Sequence, residues 1–473
     1  MDPLSIIWFR NDLRLHDNEA IIEALNRSKS VLPVYVFDER VFMGTTSYGF
    51  EKCSNFRTKF IIEAVADLRK NLEKLGSKLI VRIGIPEEII FNIAKEFKSS
   101  WVYCNRERTH EEVEVQEKLE KSLWTIGQEL RFVRGKMLYH TADLPFPISQ
   151  VPDVFSNYRK EIENIVEVRK PFDKPEIFPP FRLSIEEGDM PDLATFGKPD
   201  IELRHVENKK FIGGETQGLK QLDYYLWDSK NISKYKITRN EMFGWDYSSK
   251  LSPWLAIGCI SPKLVYHQLK KYEGDHIKND SSYWLYLELL WRDFFRLMGK
   301  KYGNKIFQEA GILQKVNRKI DNPLLFTAWK GGKTGIPIID ANMKQLNETG
   351  YMSNRGRQNV ASFLVKDLKI NWRKGAEYFE SLLIDYDPCS NYGNWNYIAG
   401  VGSDPREERY FNVVSQSKKY DSHGKYIKYW LPELKEVTQQ FIHQPDTMDL
   451  NHQEGSGVFI GKDYPNPVCS TQN

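Results

Sequence analysis

The first third of the chain alternates short apolar segments with longer amphipathic ones, and this alternation most limits how the chain can fold. Four segments of β-branched and aromatic residues, bounded by charged or turn residues, are typical of strands: 6–9, 31–37, 79–83 and 101–103. Apolar residues at helical spacing predict helices between and after them: 56–75, 87–97 and 112–126. This order predicts a parallel sheet covered by helices on both faces. We therefore expect an α/β domain at residues 1–135.

The rest of the chain has a different character. Prolines accumulate between 136 and 210, which predicts a long interdomain linker with one short helix near 155–166. Helical patterns dominate 211–445, including 283–302, and strand-like alternation is rare there. Residues 446–473 are polar and predict a C-terminal tail that is mobile or lies as a strap. The expected fold class is an α/β N-terminal parallel-sheet domain followed by a mainly α-helical C-terminal domain.

Composition excludes several classes of protein. The 473 residues include 67 basic and 64 acidic ones, so a net charge of +3 does not indicate a nucleic-acid binder, and DNA affinity would require a local patch. The five cysteines are scattered without a CxxC pair, which argues against a disulfide framework and a metal site. The sequence contains no long uncharged apolar run, so no membrane-spanning helix is predicted. The N-terminus lacks a signal-peptide pattern, so we expect a cytoplasmic protein and leave a nuclear location open.

Two familiar phosphate-binding motifs are missing from the sequence. A polar loop at 11–18 follows the first strand segment in place of GxGxxG, and Asp17 or Asn18 is suited to cap the next helix. A GGKT sequence at 331–334 resembles the end of a P-loop, but Thr327 stands where that motif needs its first glycine. Helix termination at residue 331 is the better interpretation.

Four segments of the helical half carry the densest chemistry. The first, 235–254, contains a run of hydroxyl side chains before Pro253, which could hold a phosphate at a helix start or form only turns and caps. The second, 283–296, places Glu288 on one helix face with large aromatic residues, so this carboxyl group should have a raised pKa or find a donor. A core helix in which Glu288 pairs with Arg292 is the plainer alternative.

The third and fourth segments are rich in amides. Residues 354–358 read Asn-Arg-Gly-Arg-Gln, and residues 385–397 combine two carboxylates, three amides and four aromatic rings. Asx-rich turns would explain part of this pattern. The combination also suits a flat heterocycle that needs both in-plane hydrogen bonds and stacking.

Together with the opening residues 8–14, the four segments resemble the photolyase/cryptochrome flavoprotein family. The resemblance extends over nearly the whole chain, to residues 430–434. It implies that the helical domain binds FAD in a U-shaped conformation and that an antenna pigment lies near the N-terminal domain. The implied activity is light-driven: photoexcited, reduced FAD donates an electron to a pyrimidine dimer, the cyclobutane bonds break and the electron returns. No nucleophile or metal is required.

The resemblance also implies the FAD site residue by residue. Phosphate contacts are implied for six residues: Tyr235, Ser248, Ser249, Lys250, Leu251 and Ser252. Arg357 should pair with Asp385 near the isoalloxazine ring, and Asp387 should hydrogen-bond the flavin. Asn391 should face the redox-active ring nitrogen, where an amide cannot readily supply a proton.

The implied substrate site lies beside the flavin. Trp291 would stack on a cyclobutane pyrimidine dimer, Glu288 would hydrogen-bond a thymine carbonyl, and Asn354 would line the pocket. Six-four photolyases are also similar, but they carry a histidine pair where this chain has Asn354 and Gln358, so imidazole-assisted repair is not expected. The residues implied to contact DNA are Arg239, Arg292, Arg355, Gln358 and Tyr397.

Within the family, the chain resembles the DASH cryptochrome subgroup. Gln358 replaces a methionine, and Tyr397 a second stacking tryptophan, of conventional dimer photolyases. The sequences at 144–160 and 402–411 are also similar. The subgroup repairs dimers chiefly in single-stranded DNA, where flipping the lesion costs little. Losing one stacking tryptophan removes roughly 1–3 kcal/mol of stacking free energy. The pocket could then no longer offset the free energy needed to open a duplex.

An electron path and an antenna site are implied as well. Trp395 and Trp372 match the inner and middle members of a tryptophan chain that re-reduces oxidised flavin, whereas Lys319 stands in place of the outer tryptophan. Because lysine cannot carry an electron hole, photoreduction should be slow or should use another aromatic residue such as Trp329. Glu107 matches a carboxylate that binds a methenyltetrahydrofolate antenna, and another pigment or none stays open.

The sequence thus favours a monomeric enzyme that repairs cyclobutane pyrimidine dimers in single-stranded or looped DNA. The alternative is a blue-light photoreceptor that signals through the flavin redox state. The intact set of Glu288, Trp291 and Asn354 favours repair, and the tail is short for a signalling extension. A nucleotide-binding structural protein would leave the aromatic and amide segments unexplained.

Overall fold

The computed structural model describes residues 3–179, 184–315, 319–403 and 410–470. Its N-terminal part contains a parallel sheet with the strand order β3-β2-β1-β4-β5. The strands are β1 (Leu4–Phe9), β2 (Ser30–Asp38), β3 (Ile80–Gly84), β4 (Trp101–Asn105) and β5 (Glu129–Val133). The predicted parallel α/β domain is confirmed. The sequence patterns missed only β5, an edge strand whose partly exposed residues dilute the apolar signal.

Helices cover both faces of this sheet. They are α1 (Glu19–Arg27), α2 (Glu39–Phe42), α3 (Asn55–Glu73), α4 (Pro86–Phe97) and α5 (His110–Trp124). Asn18 caps α1, because its side-chain oxygen accepts hydrogen bonds from the N–H groups of Ala20 and Ile21 at 3.2 and 3.4 Å. Pro86 occupies the first turn of α4, where its missing N–H leaves no intrahelical bond unmade.

The linker is mostly irregular with a few short helices, and the C-terminal part is mainly helical. Their helices in the described residues are α6 (Phe155–Ile162), α7 (Val206–Lys210), α8 (Glu215–Asp223), α9 (Tyr235–Thr238), α10 (Ser252–Ala256), α11 (Pro262–Asp275), α12 (Asp280–Tyr302), α13 (Pro323–Lys330), α14 (Pro337–Thr349), α15 (Asn354–Ser362), α16 (Trp372–Leu382), α17 (Pro388–Ala399), α18 (Val413–Tyr420), α19 (Lys425–Trp430) and α20 (Leu450–Ser456). None of the helices in this described part of the chain is long and apolar enough to cross a membrane. The predicted fold class is confirmed in both halves.

Capping and termination set the helix ends. α12 begins before the apolar pattern does, because Asn279 accepts hydrogen bonds from the N–H groups of Ser281 and Ser282 at 2.9 and 3.1 Å. α13 ends at Lys330, and the N–H of Gly331 donates to the Thr327 carbonyl at 2.9 Å. The GGKT sequence is therefore the end of a helix, as predicted.

The polar loop at 11–18 joins the two halves of the molecule. The buried Arg14 side chain donates to the carbonyl oxygen of Gly258 at 2.9 Å. Asp17, which has a positive φ of 45°, pairs with Lys263 at 2.7 Å. The loop thus holds the sheet against the helical domain, a role that its sequence did not reveal.

The C-terminal segment lies along the start of α14 as a strap. The Tyr464 hydroxyl donates to the buried carboxylate of Asp340 at 2.6 Å, and the Val468 N–H donates to the Thr334 carbonyl at 2.9 Å. Burial raises the pKa of Asp340 to about 6, although hydrogen bonds from Thr334 and Tyr464 oppose the shift. The described residues favour the strap over the mobile tail.

Tyr464→Phe should lower the free energy of unfolding by about 1.5–3 kcal/mol, because it removes a hydrogen bond to a buried charged group. Denaturant unfolding measures this change. The matched control is Tyr224→Phe, whose hydroxyl donates at 3.0 Å to the exposed Asp246. This control should change stability by less than about 0.5 kcal/mol. Equal effects of the two substitutions would contradict the strap contact.

Candidate functional site

Two adjoining cavities open between α10, α12, α15 and α17. We name the larger one, of about 390 Å³, the aromatic cavity, and its lining includes Trp284, Trp291, Phe295, Trp395 and Tyr397. The smaller one, of about 260 Å³, is the hydroxyl cavity, and its lining includes Tyr235, Tyr247, Ser248, Ser249, Lys250 and Ser252. Both cavities are lined by Glu288, Asn354, Arg357, Asp385 and Asp387, so they adjoin along a shared wall. Such a space is of the size that binds small molecules and cofactors.

Most of the predicted site residues lie on these two cavities. Every residue predicted to contact FAD lines one or both, as do Glu288, Trp291, Asn354, Trp395, Arg239, Arg292, Gln358 and Tyr397. Three other predicted residues are not among the described residues that line the two cavities: Arg355, Trp372 and Glu107. The geometry brings the predicted set together, and the role of each member stays a prediction.

Arg357 and Asp385 form the ion pair that the sequence predicted. Arg357 Nη2 donates to both carboxylate oxygens of Asp385, at 2.8 and 3.0 Å. Burial alone would lower the pKa of Arg357, but the adjacent Asp385 raises it, so the guanidinium stays charged. The Ser252 hydroxyl also donates to Asp385, at 2.6 Å. This pair is a fixed charge arrangement at the boundary between the two cavities.

Glu288 pairs across the cavity and not along its own helix. Its carboxylate accepts a hydrogen bond from the guanidinium of Arg239 on the segment after α9. Arg292 points elsewhere and donates to the carbonyl oxygens of Lys136 and Leu255, at 2.7 and 3.2 Å. The alternative of a Glu288–Arg292 pair is therefore wrong. Burial raises the pKa of Glu288, and Arg239 opposes that shift.

Asp387 is held ionised by two arginines of α12. It caps α17 by accepting from the Ser390 N–H at 2.8 Å, and it accepts from Arg296 Nη1 at 2.8 Å. Burial works against the charge, but Arg296 and Arg292 outweigh it and lower the pKa of Asp387. Sequence reasoning missed Arg296; its position four residues after Arg292 on the same helix face was the available signal.

Lys250 has a buried ammonium group without a hydrogen-bond partner among the described residues. The group lies 3.4 Å from the ring centroid of Tyr247, and burial lowers its pKa well below the ordinary value. A buried polar group that lacks a partner is costly, so this site is suited to an anion. The hydroxyl cavity therefore fits an anionic group, and its role as the site of the FAD phosphates stays a prediction.

Cations and an aromatic ring surround the mouth of the aromatic cavity. Arg239 and Lys236 lie over the Trp284 ring, at 5.5 and 5.3 Å from its centroid. Arg355, outside the cavities, donates to Asn240 Oδ1 at 2.7 Å. The rim thus groups basic side chains, of which Arg239 pairs with Glu288 and Lys236 pairs with Asp280 at 2.7 Å. Sequence reasoning missed Lys236 and used Trp284 only as part of a helix face.

The two predicted electron-transfer tryptophans are buried on packed helices. Trp395 on α17 lines the aromatic cavity, and Trp372 begins α16. A side chain at Gly375 would lie 2.3 Å from the Trp395 indole, so only glycine allows these helices to approach so closely. Trp372 Nε1 donates to the carbonyl oxygen of Glu309 at 3.0 Å. Lys319 pairs with the Glu309 side chain, so it lies near Trp372.

Glu107 lies in a closed ionic cluster between the domains. Its carboxylate pairs with Lys136 and lies 3.5 Å from Arg296 Nη2. Burial disfavours its charge, but these cations outweigh burial and lower the pKa of Glu107. A separate cavity of about 430 Å³ lies at the carboxyl ends of β1 and β2, with Arg40 and Lys52 in its lining. No sequence motif pointed to this N-terminal cavity.

Comparison with known proteins agrees with this geometry. Residues 5–176 match the family model described as DNA photolyase, and residues 284–473 match the one described as FAD binding domain of DNA photolyase. A protein named Cryptochrome DASH from Synechocystis sp. is 47% identical over 470 residues, covering 99% of this chain and 95% of the relative. The crystal structure of Synechocystis sp. PCC6803 cryptochrome matches with a TM-score of 0.95 and 46% identity, over 99% of this chain and 96% of that one. An archaeal photolyase from Sulfolobus tokodaii, solved with two FAD molecules, matches with a TM-score of 0.79 and 30% identity, over 99% and 96% of the two chains.

Lys250→Met should weaken FAD binding by roughly tenfold or more, because a charged hydrogen bond contributes about 1.5–3 kcal/mol. Flavin retained after purification and a fluorescence titration of the stripped protein measure the loss. Lys230→Met is the control, since Lys230 shares the positive φ of Lys250 (53° against 58°) but is exposed. Unchanged flavin affinity in Lys250→Met would contradict the phosphate assignment.

Proposed function

This chain belongs to the photolyase/cryptochrome family, in its DASH cryptochrome subgroup, and on that premise we propose that it repairs cyclobutane pyrimidine dimers in DNA with light. Single-stranded or looped DNA is the proposed substrate. The observation that carries the proposal is that Glu288, Trp291 and Asn354 line the same aromatic cavity as Asn391 and Trp395. A lesion and the flavin ring would therefore share one space.

When bound, reduced FAD would absorb blue light and would supply the electron that splits the dimer. The residues of the chain would bind and orient the cofactor and the lesion, and they would exclude water from the site. Lys250 and the hydroxyl cavity would hold the phosphates, and the Arg357–Asp385 pair would lie against the ring. Asn391 Nδ2 donates to the Ala376 carbonyl at 3.0 Å, which fixes the orientation of the amide predicted to face the flavin.

Glu288 must be protonated to donate a hydrogen bond to a thymine carbonyl. Burial favours the protonated form, and Arg239 favours the ionised one. A DNA phosphate arriving at the basic rim would compete with Glu288 for the guanidinium of Arg239. Without this cation beside it, burial would dominate the pKa of Glu288. The carboxyl group would then favour its protonated form, which can donate a hydrogen bond. Lesion binding and Glu288 protonation are thus coupled in the proposed mechanism.

The proposed preference for single strands rests on two aromatic rings in the wall of the aromatic cavity. Trp291 and Tyr397 meet edge to face, with ring centroids 5.8 Å apart. Base–aromatic stacking contributes roughly 1–3 kcal/mol per base, and a phenol offers less surface than an indole. Flipping a dimer out of a duplex costs a few kcal/mol, which a single strand avoids. The smaller ring at 397 therefore favours lesions that are already unpaired.

Tyr397→Trp should raise dimer repair in duplex DNA relative to single-stranded DNA, by up to the equivalent of roughly 1–3 kcal/mol. Parallel repair assays on one dimer-containing oligonucleotide, alone and annealed, give the ratio. Tyr397→Phe is the control and should leave the ratio near that of the unmodified protein. Equal rates on both substrates in the unmodified protein would refute the strand preference, and equal loss of dimers in the dark would refute light-driven repair.

We propose that re-reduction of the flavin runs through Trp395 and Trp372 and is limited by Lys319. Ring contacts offer one detour, from Trp395 to Phe379 at 5.2 Å and on to Trp329 at 6.4 Å. Trp329 is fully buried, so this detour does not reach the surface at that residue. The ammonium of Lys319 cannot carry an electron hole at the position of the outer tryptophan.

Trp372→Phe should slow the blue-light bleaching of oxidised flavin by an external thiol, and Lys319→Trp should accelerate it, because the latter restores an oxidisable ring. Absorbance during illumination measures both rates. Trp329→Phe separates the routes: a loss of photoreduction in this variant would indicate the detour. Insensitivity to Trp372→Phe would remove the proposed chain altogether.

A folate antenna at Glu107 is part of the proposal, although the carboxylate now faces Lys136. Glu107→Gln should remove a near-ultraviolet absorption band of the purified protein if methenyltetrahydrofolate binds there. A band that survives the substitution would contradict Glu107 as the ligand and direct attention to the N-terminal cavity. The flavin band serves as the internal control.

We propose further that the chain acts as a monomer in the cytoplasm. Size-exclusion chromatography with light scattering tests the monomer, and fractionation of the source cells tests the location. A dimer or an organellar protein would overturn the respective part.

A further inference from the structure

Phe155 stacks flat on Trp291. The two ring centroids lie 3.7 Å apart and the ring planes differ by 10°. Phe155 is the first residue of α6, in the linker that connects the two domains. Trp291 makes its other ring contacts at 5.5 Å or more, with Phe295, Phe294 and Tyr397. The Phe155 contact is therefore the closest restraint on the indole plane among the ring pairs of the described residues.

The stack covers one face of Trp291 with a ring that does not line the aromatic cavity in the described chain. Trp291 lines the aromatic cavity, whereas Phe155 is not part of that lining in the described chain. An indole has two faces, and a stacked ring occupies one of them. Phe155 therefore blocks one face at most, and the part of the indole that lines the cavity stays open to a ligand.

The linker holds Phe155 firmly in this place. Just before it, the Asp153 carboxylate accepts hydrogen bonds from Lys301 Nζ and the Tyr302 hydroxyl, both at 2.6 Å. Lys301 Nζ also donates to the Val151 carbonyl at 2.7 Å. The end of α12 thus fixes the start of α6, while Trp291 lies further back on α12. Phe155 is therefore connected to α12 twice, through the linker residues before it and through its stack on Trp291.

We propose that Phe155 is a positioning residue of the lesion site, which backs the Trp291 indole so that its free face meets the dimer in one fixed plane. This inference rests on the proposed repair function. An indole that rotates freely would lose orientation entropy when the dimer stacks on it, and the Phe155 stack removes that loss in advance. The interdomain linker is then a part of the lesion site and not only a connection.

The test measures the affinity of the FAD-loaded protein for an oligonucleotide with one thymine dimer and for the same undamaged oligonucleotide, in the dark. Phe155→Ala should weaken dimer binding by roughly twofold to tenfold, the equivalent of about 0.5–1.5 kcal/mol for an aromatic pair. Binding of the undamaged strand should stay the same. Phe155→Tyr keeps a flat ring and should preserve the dimer affinity, whereas Phe155→Leu, apolar but not planar, should not.

Phe146→Ala is the matched control on the same linker. Phe146 is half-buried and contacts Tyr158, with ring centroids 6.4 Å apart. This control should leave dimer affinity unchanged. Flavin content and melting temperature of every variant show whether a loss of binding follows from misfolding.

A double-mutant cycle separates positioning from general damage. If Phe155 acts through Trp291, Phe155→Ala should have no further effect on dimer binding in a Trp291→Ala background. Full additivity of the two substitutions, or an unchanged affinity in Phe155→Ala, would overturn the inference while the repair proposal stands. Failure of the unmodified protein to prefer the dimer strand would overturn the proposed function and the inference together.

Discussion

Helix α12 carries charged side chains into the interior, and the need to compensate them fixes the parts around it. A buried charge without a partner costs several kcal/mol, so each one must face a partner from another element. Arg292 reaches backbone carbonyls of the linker and of α10, and Asp293 accepts from the N–H groups of Leu138 and Tyr139. Arg296 pairs with Asp387 at the start of α17. The linker, α10 and α17 are thereby held in one register along α12.

This register creates the cavity and gives it its chemistry. Glu288 and Trp291 lie on the same helix as Arg292 and Arg296, and both line the aromatic cavity. The set contains ion pairs, amides and aromatic rings, and electron transfer to a dimer needs no nucleophile. Such groups position a cofactor and a lesion and shape the local field, which is what an electron-transfer reaction requires of a protein.

Sequence patterns predicted the fold well because the signals were local. The parallel sheet follows from short apolar runs, and the helix end at Gly331 follows from one glycine. The cavity residues were found through the family resemblance, and the structure gathers them from five helices and loops. The Arg239–Glu288 pair and the Phe155–Trp291 stack join residues 49 and 136 positions apart, and no periodicity encodes such contacts. The role of loop 11–18 was missed for the same reason, and 404–409, within a stretch similar to the DASH subgroup, lies outside the described residues.

We propose that one cavity holds both a photoreducible flavin and a dimer stacked on Trp291. The most direct measurement is the loss of thymine dimers from a single-stranded oligonucleotide under blue light, with chemically reduced holoprotein and its Trp291→Ala variant. We expect a light-dependent loss of dimers with the unmodified protein and a strongly reduced loss with the variant at equal flavin content. Equal repair by both proteins, or no repair by a holoprotein with full flavin occupancy, would contradict it.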